Sequence, residues 1–317
     1  MKKFLKDLAV YLVVVAALLL LFIKAQPFLT RVLPNDYSRH HVIVDALKNK
    51  TASPEIIILG DSRTMFGVDA KTISNNLPNK PLAYNLASVG QSYFESCYFI
   101  SSIPASTRHI IQFIGYTGFR EPRTDFNIDK AMSMMMNGYK VDTVTRQLIG
   151  KVNPYFDKSI TAVAFEGRII LKSSLHVLLR SVLDNETFAD NYSDLYFPHI
   201  YTTDRHPQYP FYKIPCDLDT MSVNPYTVAL ANRVDYFLQQ KNIQYHIVLL
   251  PVNPDICVFD KSKAATYIAQ LKNEMPGIDF INLTGALDNT QFYDAEHPNK
   301  KGARIISLMV ADSLKSR

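Results

Sequence analysis

Glu55-Ile56-Ile57-Ile58-Leu59-Gly60-Asp61-Ser62-Arg63 is the stretch on which the fold turns. Four consecutive large apolar residues, three of them β-branched, stop at a glycine. A short run of this kind suits a strand covered on both faces, as in a parallel sheet. The Gly-Asp-Ser turn that follows sits where such a strand would hand over to a helix. Moving outward, residues 82–86 and 109–114 (HIIQFI) read as the second and third strands, with a helix over 92–102 between them. Asn224-Pro225 is a helix start with proline near the first helical position, and that helix is expected to run to about Lys241. Residues 245–250, 262–274, 278–283 and 299–314 continue as strand, helix, strand and helix. Strands alternating with helices predict an α/β domain with a doubly wound parallel sheet.

Residues 119–222 break that rhythm. They hold a Met-rich stretch from Ala131 to Met136, a helical pattern near Ala162–Leu183 and a Tyr/Pro-rich segment from Tyr192 to Pro215. We read this as a large insertion, with the methionines as core packing more than as a binding surface. No internal repeat or low-complexity tract is present.

The amino terminus is of another kind. Leu8 to Ile23 is an unbroken apolar run, LAVYLVVVAALLLLFI, preceded by Lys2, Lys3 and Lys6. It is somewhat short of the roughly 20 residues of a spanning helix, but Phe4 and Leu5 extend it and Lys24 can snorkel. The lysines place the amino terminus in the cytoplasm and the rest of the chain outside. A cleavable signal peptide is the rival, but Ile23-Lys24-Ala25 is a poor cleavage site, so a retained anchor is the preferred reading. The expected organisation is therefore a cytoplasmic tip and anchor over 1–25, a juxtamembrane stalk over 26–53 with a turn at Pro34-Asn35-Asp36, and the α/β domain over 54–317.

Composition bounds the partners. The chain has 317 residues, 47% of them apolar, which is enough for a sizeable core and unlike a disordered chain. A formal charge of +5 is spread without a dense basic block, so no nucleic-acid footprint is expected. Cys97, Cys216 and Cys257 form no C-x-x-C pair and no zinc-ligand spacing, and buried free thiols are preferred over a Cys216–Cys257 disulfide. No metal or organic cofactor is implied.

Three segments carry candidate chemistry. Ser62 sits at a helix start, where backbone N–H groups and the dipole favour negative charge, although a Gly-Asp-Ser turn also serves as a plain helix cap. Asp294-Ala295-Glu296-His297-Pro298 precedes the last helix. A carboxylate three residues before an imidazole can fix its tautomer and leave the other nitrogen to accept a proton from serine. In Asn85-Leu86-Ala87-Ser88-Val89-Gly90, after the second strand, Gly90 can bring a backbone N–H close to a substrate oxygen, or be a turn glycine only. The other histidines, among them His40, His109 and His246, show no partner pattern.

The order and spacing of these segments over residues 55–312, the insertion excluded, resemble the SGNH/GDSL hydrolase superfamily. The resemblance implies a flavodoxin-like three-layer fold. It implies Ser62 as nucleophile, His297 as general base, Asp294 as its orienting partner, and an oxyanion hole from the N–H groups of Ser62 and Gly90 with a third donor after strand three. There the chain departs from the family: it reads Gly115-Tyr116-Thr117-Gly118-Phe119, with Thr117 at the position of the expected asparagine. Asn253, in Pro251-Val252-Asn253-Pro254, is an alternative donor or substrate contact, or a turn residue between prolines. Arg63 stands where the family's GDSL form has leucine and is a candidate for an anionic substrate group, or a structural arginine.

Two functions follow. One is an extracytoplasmic esterase or O-acyltransferase acting on acyl esters of cell-envelope glycans or lipids, in the manner of membrane-anchored relatives, with a membrane-embedded acyltransferase as a candidate partner. The other is a catalytically degraded module of the same fold that binds glycan or scaffolds an envelope complex.

Overall fold

The computed structural model describes residues 2–32, 38–49, 53–115, 118–119, 139, 141–150, 194–198, 223–256 and 261–315. The chain divides into two compact units. One comprises Met1–Val44, Phe126–Lys140 and Val152–Ala189; the other comprises Asp45–Asp125, Val141–Lys151 and Asp190–Arg317.

In the first unit, helix α1 spans Lys2–Val32 and exposes Leu8, Val10, Leu12, Val13 and Leu18, among other apolar side chains. Among the described residues, no helix is long and apolar enough to cross a membrane. Helix α2 (Ser38–Lys48), whose residues divide between the two units at Val44 and Asp45, lies in the stretch expected to be a stalk. Its Ile43, Val44 and Ala46 are buried, and so are Arg39 and His40.

The second unit is built on five parallel strands: β1 (Ile56–Leu59), β2 (Ala83–Asn85), β3 (His109–Ile114), β4 (Gln244–Leu249) and β5 (Asp279–Asn282). Their spatial order is β2-β1-β3-β4-β5. The order reverses at β1, between its neighbours β2 and β3, which is where doubly wound sheets open a crevice for ligands. All four residues of β1 are fully buried, as its unbroken apolar run requires.

Seven helices belong to this unit among the described residues: α3 (Ser62–Gly67), α4 (Ala70–Asn75), α5 (Tyr93–Ser96), α6 (Thr143–Ile149), α7 (Pro225–Gln239), α8 (Lys261–Glu274) and α9 (Lys300–Lys315). The helix expected over 92–102 is α5 followed by a 3-10 turn, Cys97–Ser102. Ser92 starts it with a full capping box to Glu95. Helix α9 buries Ala303, Ile306, Ser307, Val310 and Ala311, a stripe with helical spacing, and packs on α3 and α4. Its Ser307 hydroxyl accepts the backbone N–H of Asp69 at 2.9 Å, tying it to the cap of α4.

The expected insertion is not uniform. Helix α6 lies inside it yet belongs to the sheet unit: Tyr226 donates to Ile149 O at 2.7 Å and Arg233 to Leu148 O at 2.8 Å, both from α7. Residues 194–196 also return to the sheet unit, where Leu195 O accepts from Asn85 N at 2.7 Å and Tyr196 O from Ala70 N at 3.0 Å. These contacts join distant segments, which periodicity within a window cannot register. The Met-rich stretch, the pattern near 162–183, Cys216 and Cys257 lie outside the described residues. Cys97 is buried and free, and burial pushes its thiol up to about 12.

Candidate active site

Ser62 is the first residue of α3, immediately beyond β1. Asp61 caps that helix by accepting the Arg63 N–H at 3.0 Å. Gly60 is required by close approach: a Cβ there would stand 2.2 Å from the Thr64 hydroxyl. The far end of α3 is held by Asn85 at the end of β2, whose Nδ2 donates to Thr64 O at 3.1 Å and Val68 O at 2.8 Å. Asn85 is fully buried, so this tie fixes the serine-bearing turn against two adjacent strands.

His297 arrives from 235 residues away. Its loop is closed as a short antiparallel excursion, with a Phe292–Pro298 bridge and Tyr293 N donating to His297 O at 2.7 Å. Asn299 then caps α9 through Gly302 N at 3.1 Å. The loop docks on α3 because Gly67 has no side chain: a Cβ there would lie 2.8 Å from Pro298 Cγ. Phe66, one residue earlier, sets its ring 5.9 Å from the imidazole. Neither Phe66 nor Gly67 stands out in the sequence; the only hint is their place one turn after Ser62.

The resulting geometry joins the three residues singled out in the sequence. His297 Nε2 lies 2.9 Å from Ser62 Oγ, and Nδ1 lies 2.9 Å from Asp294 Oδ2 and 3.0 Å from Oδ1. Because Nδ1 faces a carboxylate, it carries the proton; Nε2 is then the accepting nitrogen and the serine hydroxyl donates to it. Asp294 Oδ1 also accepts the N–H groups of Glu296 and His297, each at 2.8 Å. Burial pushes the Asp294 carboxyl up. The hydrogen bond and charge of His297 and the two backbone N–H groups outweigh burial and hold it below its ordinary value.

Ser62, Arg63, Gly90 and Gly115 line one cavity of about 350 Å³, together with Tyr93 and Tyr226. Among the described residues, nothing accepts the N–H of Ser62 or of Gly90. Gly90 has φ 60, a left-handed conformation that a side chain would strain. A buried chain stiffens its loop: the Ser88 hydroxyl donates to Gln91 Oε1 at 2.7 Å, and Gln91 Nε2 donates to Ser96 Oγ at 2.8 Å.

The remaining candidates separate. Thr117 lies outside the described residues; Gly118 N, beyond it, donates to Gly115 O at 2.8 Å. Asn253 is buried and faces the acid loop rather than the cavity. Its Nδ2 donates to Asp294 O at 3.3 Å and its Oδ1 accepts from Asp255 N at 3.0 Å. Arg63 folds back on Asp61, its Nε donating to Asp61 Oδ2 at 2.9 Å. Among the described residues, no cluster of three or more His, Cys, Asp or Glu side chains could hold a metal ion.

No family model matches the chain, and no curated protein matches it. Among solved structures, it is similar to a Streptococcus pneumoniae protein provisionally described as a platelet activating factor, at 10% identity and a TM-score of 0.38, covering 96% of this chain and 99% of that one. At that score the likeness carries no argument of its own, and the reading of the site rests on its geometry.

Proposed function

We propose that this protein is a serine hydrolase or acyltransferase of SGNH type, acting on ester-linked acyl groups. The single observation that carries the proposal is the Asp294–His297–Ser62 hydrogen-bonded chain, with His297 Nε2 at 2.9 Å from the hydroxyl. Ser62 Oγ attacks the acyl carbonyl carbon while its proton passes to Nε2. Asp294 keeps Nδ1 protonated and steadies the imidazolium. The unclaimed N–H groups of Ser62 and Gly90 are the donors for the oxyanion. When the intermediate collapses, the leaving alkoxide takes the proton from Nε2 and an acyl-serine remains. Water or a sugar hydroxyl then accepts the acyl group by the reverse sequence.

The proposed setting is extracytoplasmic, at an envelope glycan or lipid, with residues 8–23 as a membrane anchor. Supporting it are the lysine-flanked apolar run and the exposed apolar side chains along α1. Treating the folded full chain with a fluorophosphonate is the decisive test. An adduct on Ser62, lost in His297→Ala, is the expected result. A folded protein that takes no label points instead to a binding module.

A further inference from the structure

Arg63 is the second residue of α3, one step beyond the proposed nucleophile. Its side chain neither runs along the helix nor reaches into open solvent; it is 27% exposed. Nε donates to Asp61 Oδ2 at 2.9 Å, Nη2 donates to the same oxygen, and the backbone N–H donates to Asp61 Oδ1 at 3.0 Å. Asp61 therefore holds both the main chain and the fork of this arginine. The outer edge of the fork lies on Gly115, the residue after β3, where a Cβ would stand 2.7 Å from Nη2 and 2.8 Å from Nη1. A Cβ at 115 would push the guanidinium from this place. Arg63 and Gly115 line the same cavity as Ser62 and Gly90. The nucleophile thus has Gly90, on the loop after β2, and the guanidinium, at the end of β3, within one cavity.

We infer that Arg63 is a catalytic residue whose guanidinium donates to the substrate's carbonyl oxygen as it becomes an oxyanion, beside the N–H groups of Ser62 and Gly90. This rests on the serine-nucleophile reading. As the Ser62 Oγ–carbon bond forms, the carbonyl π pair moves onto oxygen and the serine proton goes to His297 Nε2. Arg63 donates a hydrogen bond and keeps its proton. On collapse the pair returns and the bond to the leaving alkoxide breaks.

The pairing with Asp61 decides between this role and the capture of a permanent anion. An arginine already neutralised by a carboxylate is a poor site for a fixed negative charge. Its planar N–H groups, at the wall of the same cavity, still serve a charge that exists only in the intermediate. Interactions that strengthen only there accelerate the reaction without trapping the substrate. The partial burial of the pair raises the worth of each donor above its value in water.

The test uses the full chain, the neutral ester 4-nitrophenyl acetate, and the anionic 4-nitrophenyl hydrogen succinate. Arg63→Gln is expected to lower kcat about 10²-fold on both esters, with KM changed less than about threefold, in line with loss of one oxyanion donor. Arg63→Lys should recover about a tenfold share, having the charge without the fork. Gly115→Ala keeps the arginine in the chain but moves its fork, and should lower kcat in the same direction. It also decides the matter if Arg63→Gln does not fold, as followed by thermal denaturation. Unchanged kcat on the acetate, or a loss confined to KM for the succinate, overturns the inference. A wild-type protein that turns over neither ester and takes no fluorophosphonate label defeats the serine reading, and the inference with it. A labelled, active wild type matched by its Arg63 variants defeats only the role of Arg63.

Discussion

Two aspartate–histidine pairs sit at opposite ends of the same sheet. At the carboxyl end, Asp294 holds His297 against Ser62. At the amino end, Asp279, the first residue of β5, holds His246 of β4 at 2.8 Å, and His246 Nε2 meets His109 Nδ1 of β3 at 3.1 Å. The carboxylate contacts are nearly identical. The third partner differs: a hydroxyl beside a cavity in one case, a stacked imidazole in the other. Exposure differs too, with the His297 side chain at 19% and that of His246 at 3%. An Asp–His hydrogen bond is therefore no signature of catalysis by itself. What distinguishes the two is a hydroxyl on the other nitrogen and a cavity beside it.

The comparison breaks most sharply on activity. His297→Ala is expected to lower kcat for 4-nitrophenyl acetate by about 10⁵-fold, as loss of a general base does in a serine triad. His246→Ala should leave kcat within about threefold and cost about 1–3 kcal/mol in urea melts, by leaving the Asp279 carboxylate without its partner. The acid members should divide in the same way. Asp294→Asn is expected to lower kcat about 10³–10⁴-fold with little loss of stability, because an amide no longer fixes the imidazole tautomer. Asp279→Asn should be visible in stability alone. If Asp279→Asn abolished ester turnover while Asp294→Asn did not, the assignment of the two ends would be reversed.

Acid titration sharpens the contrast further. Burial, then the neighbouring His246 and Arg108, lowers the pKa of His109 to about 4, whereas an unfolded chain protonates histidine near about 6.5. Between these values the unfolded state binds a proton that the folded state refuses, so stability falls as pH drops from about 6.5 to about 4. Allowing for screening of a half-exposed ring, the loss is about 1–2 kcal/mol, and His109→Gln should flatten it. Asp294 acts in a lower window. Its depressed carboxyl stabilises the fold above about 3.9, and that contribution is lost as pH falls further through the folded value. Denaturant melts at several pH values resolve the two windows.

The smallest expected effect concerns docking. Gly67→Ala pushes a Cβ into Pro298 and should shift the His297 loop. A fall in kcat of about tenfold is expected, from a sub-ångström misplacement of the base. No change would mean that the loop is held by Asn299 and the Phe292–Pro298 bridge alone.

The sequence by itself determined the elements of the sheet unit and the local half of the site. Strand β3 falls on residues 109–114 as read, and β1, β4, α7 and α9 start and stop within a residue or two of expectation. Their signals are local: apolar runs of four to six residues and the Asn224-Pro225 start. Asp294 and His297 were legible for the same reason, since three residues of spacing bring them together whatever the rest of the chain does. Asp279 and His246 are 33 residues apart and were not legible. Only the tertiary structure decided that strands β4 and β5 pair in a register that sets them side by side. It likewise decided that Gly67 admits Pro298, that Arg63 closes on Asp61 over Gly115, that Asn253 supports the acid loop, and that α6 joins the sheet unit. Such choices depend on which surfaces meet after distant loops close. Packing fixes them one contact at a time, and no window of sequence contains both partners.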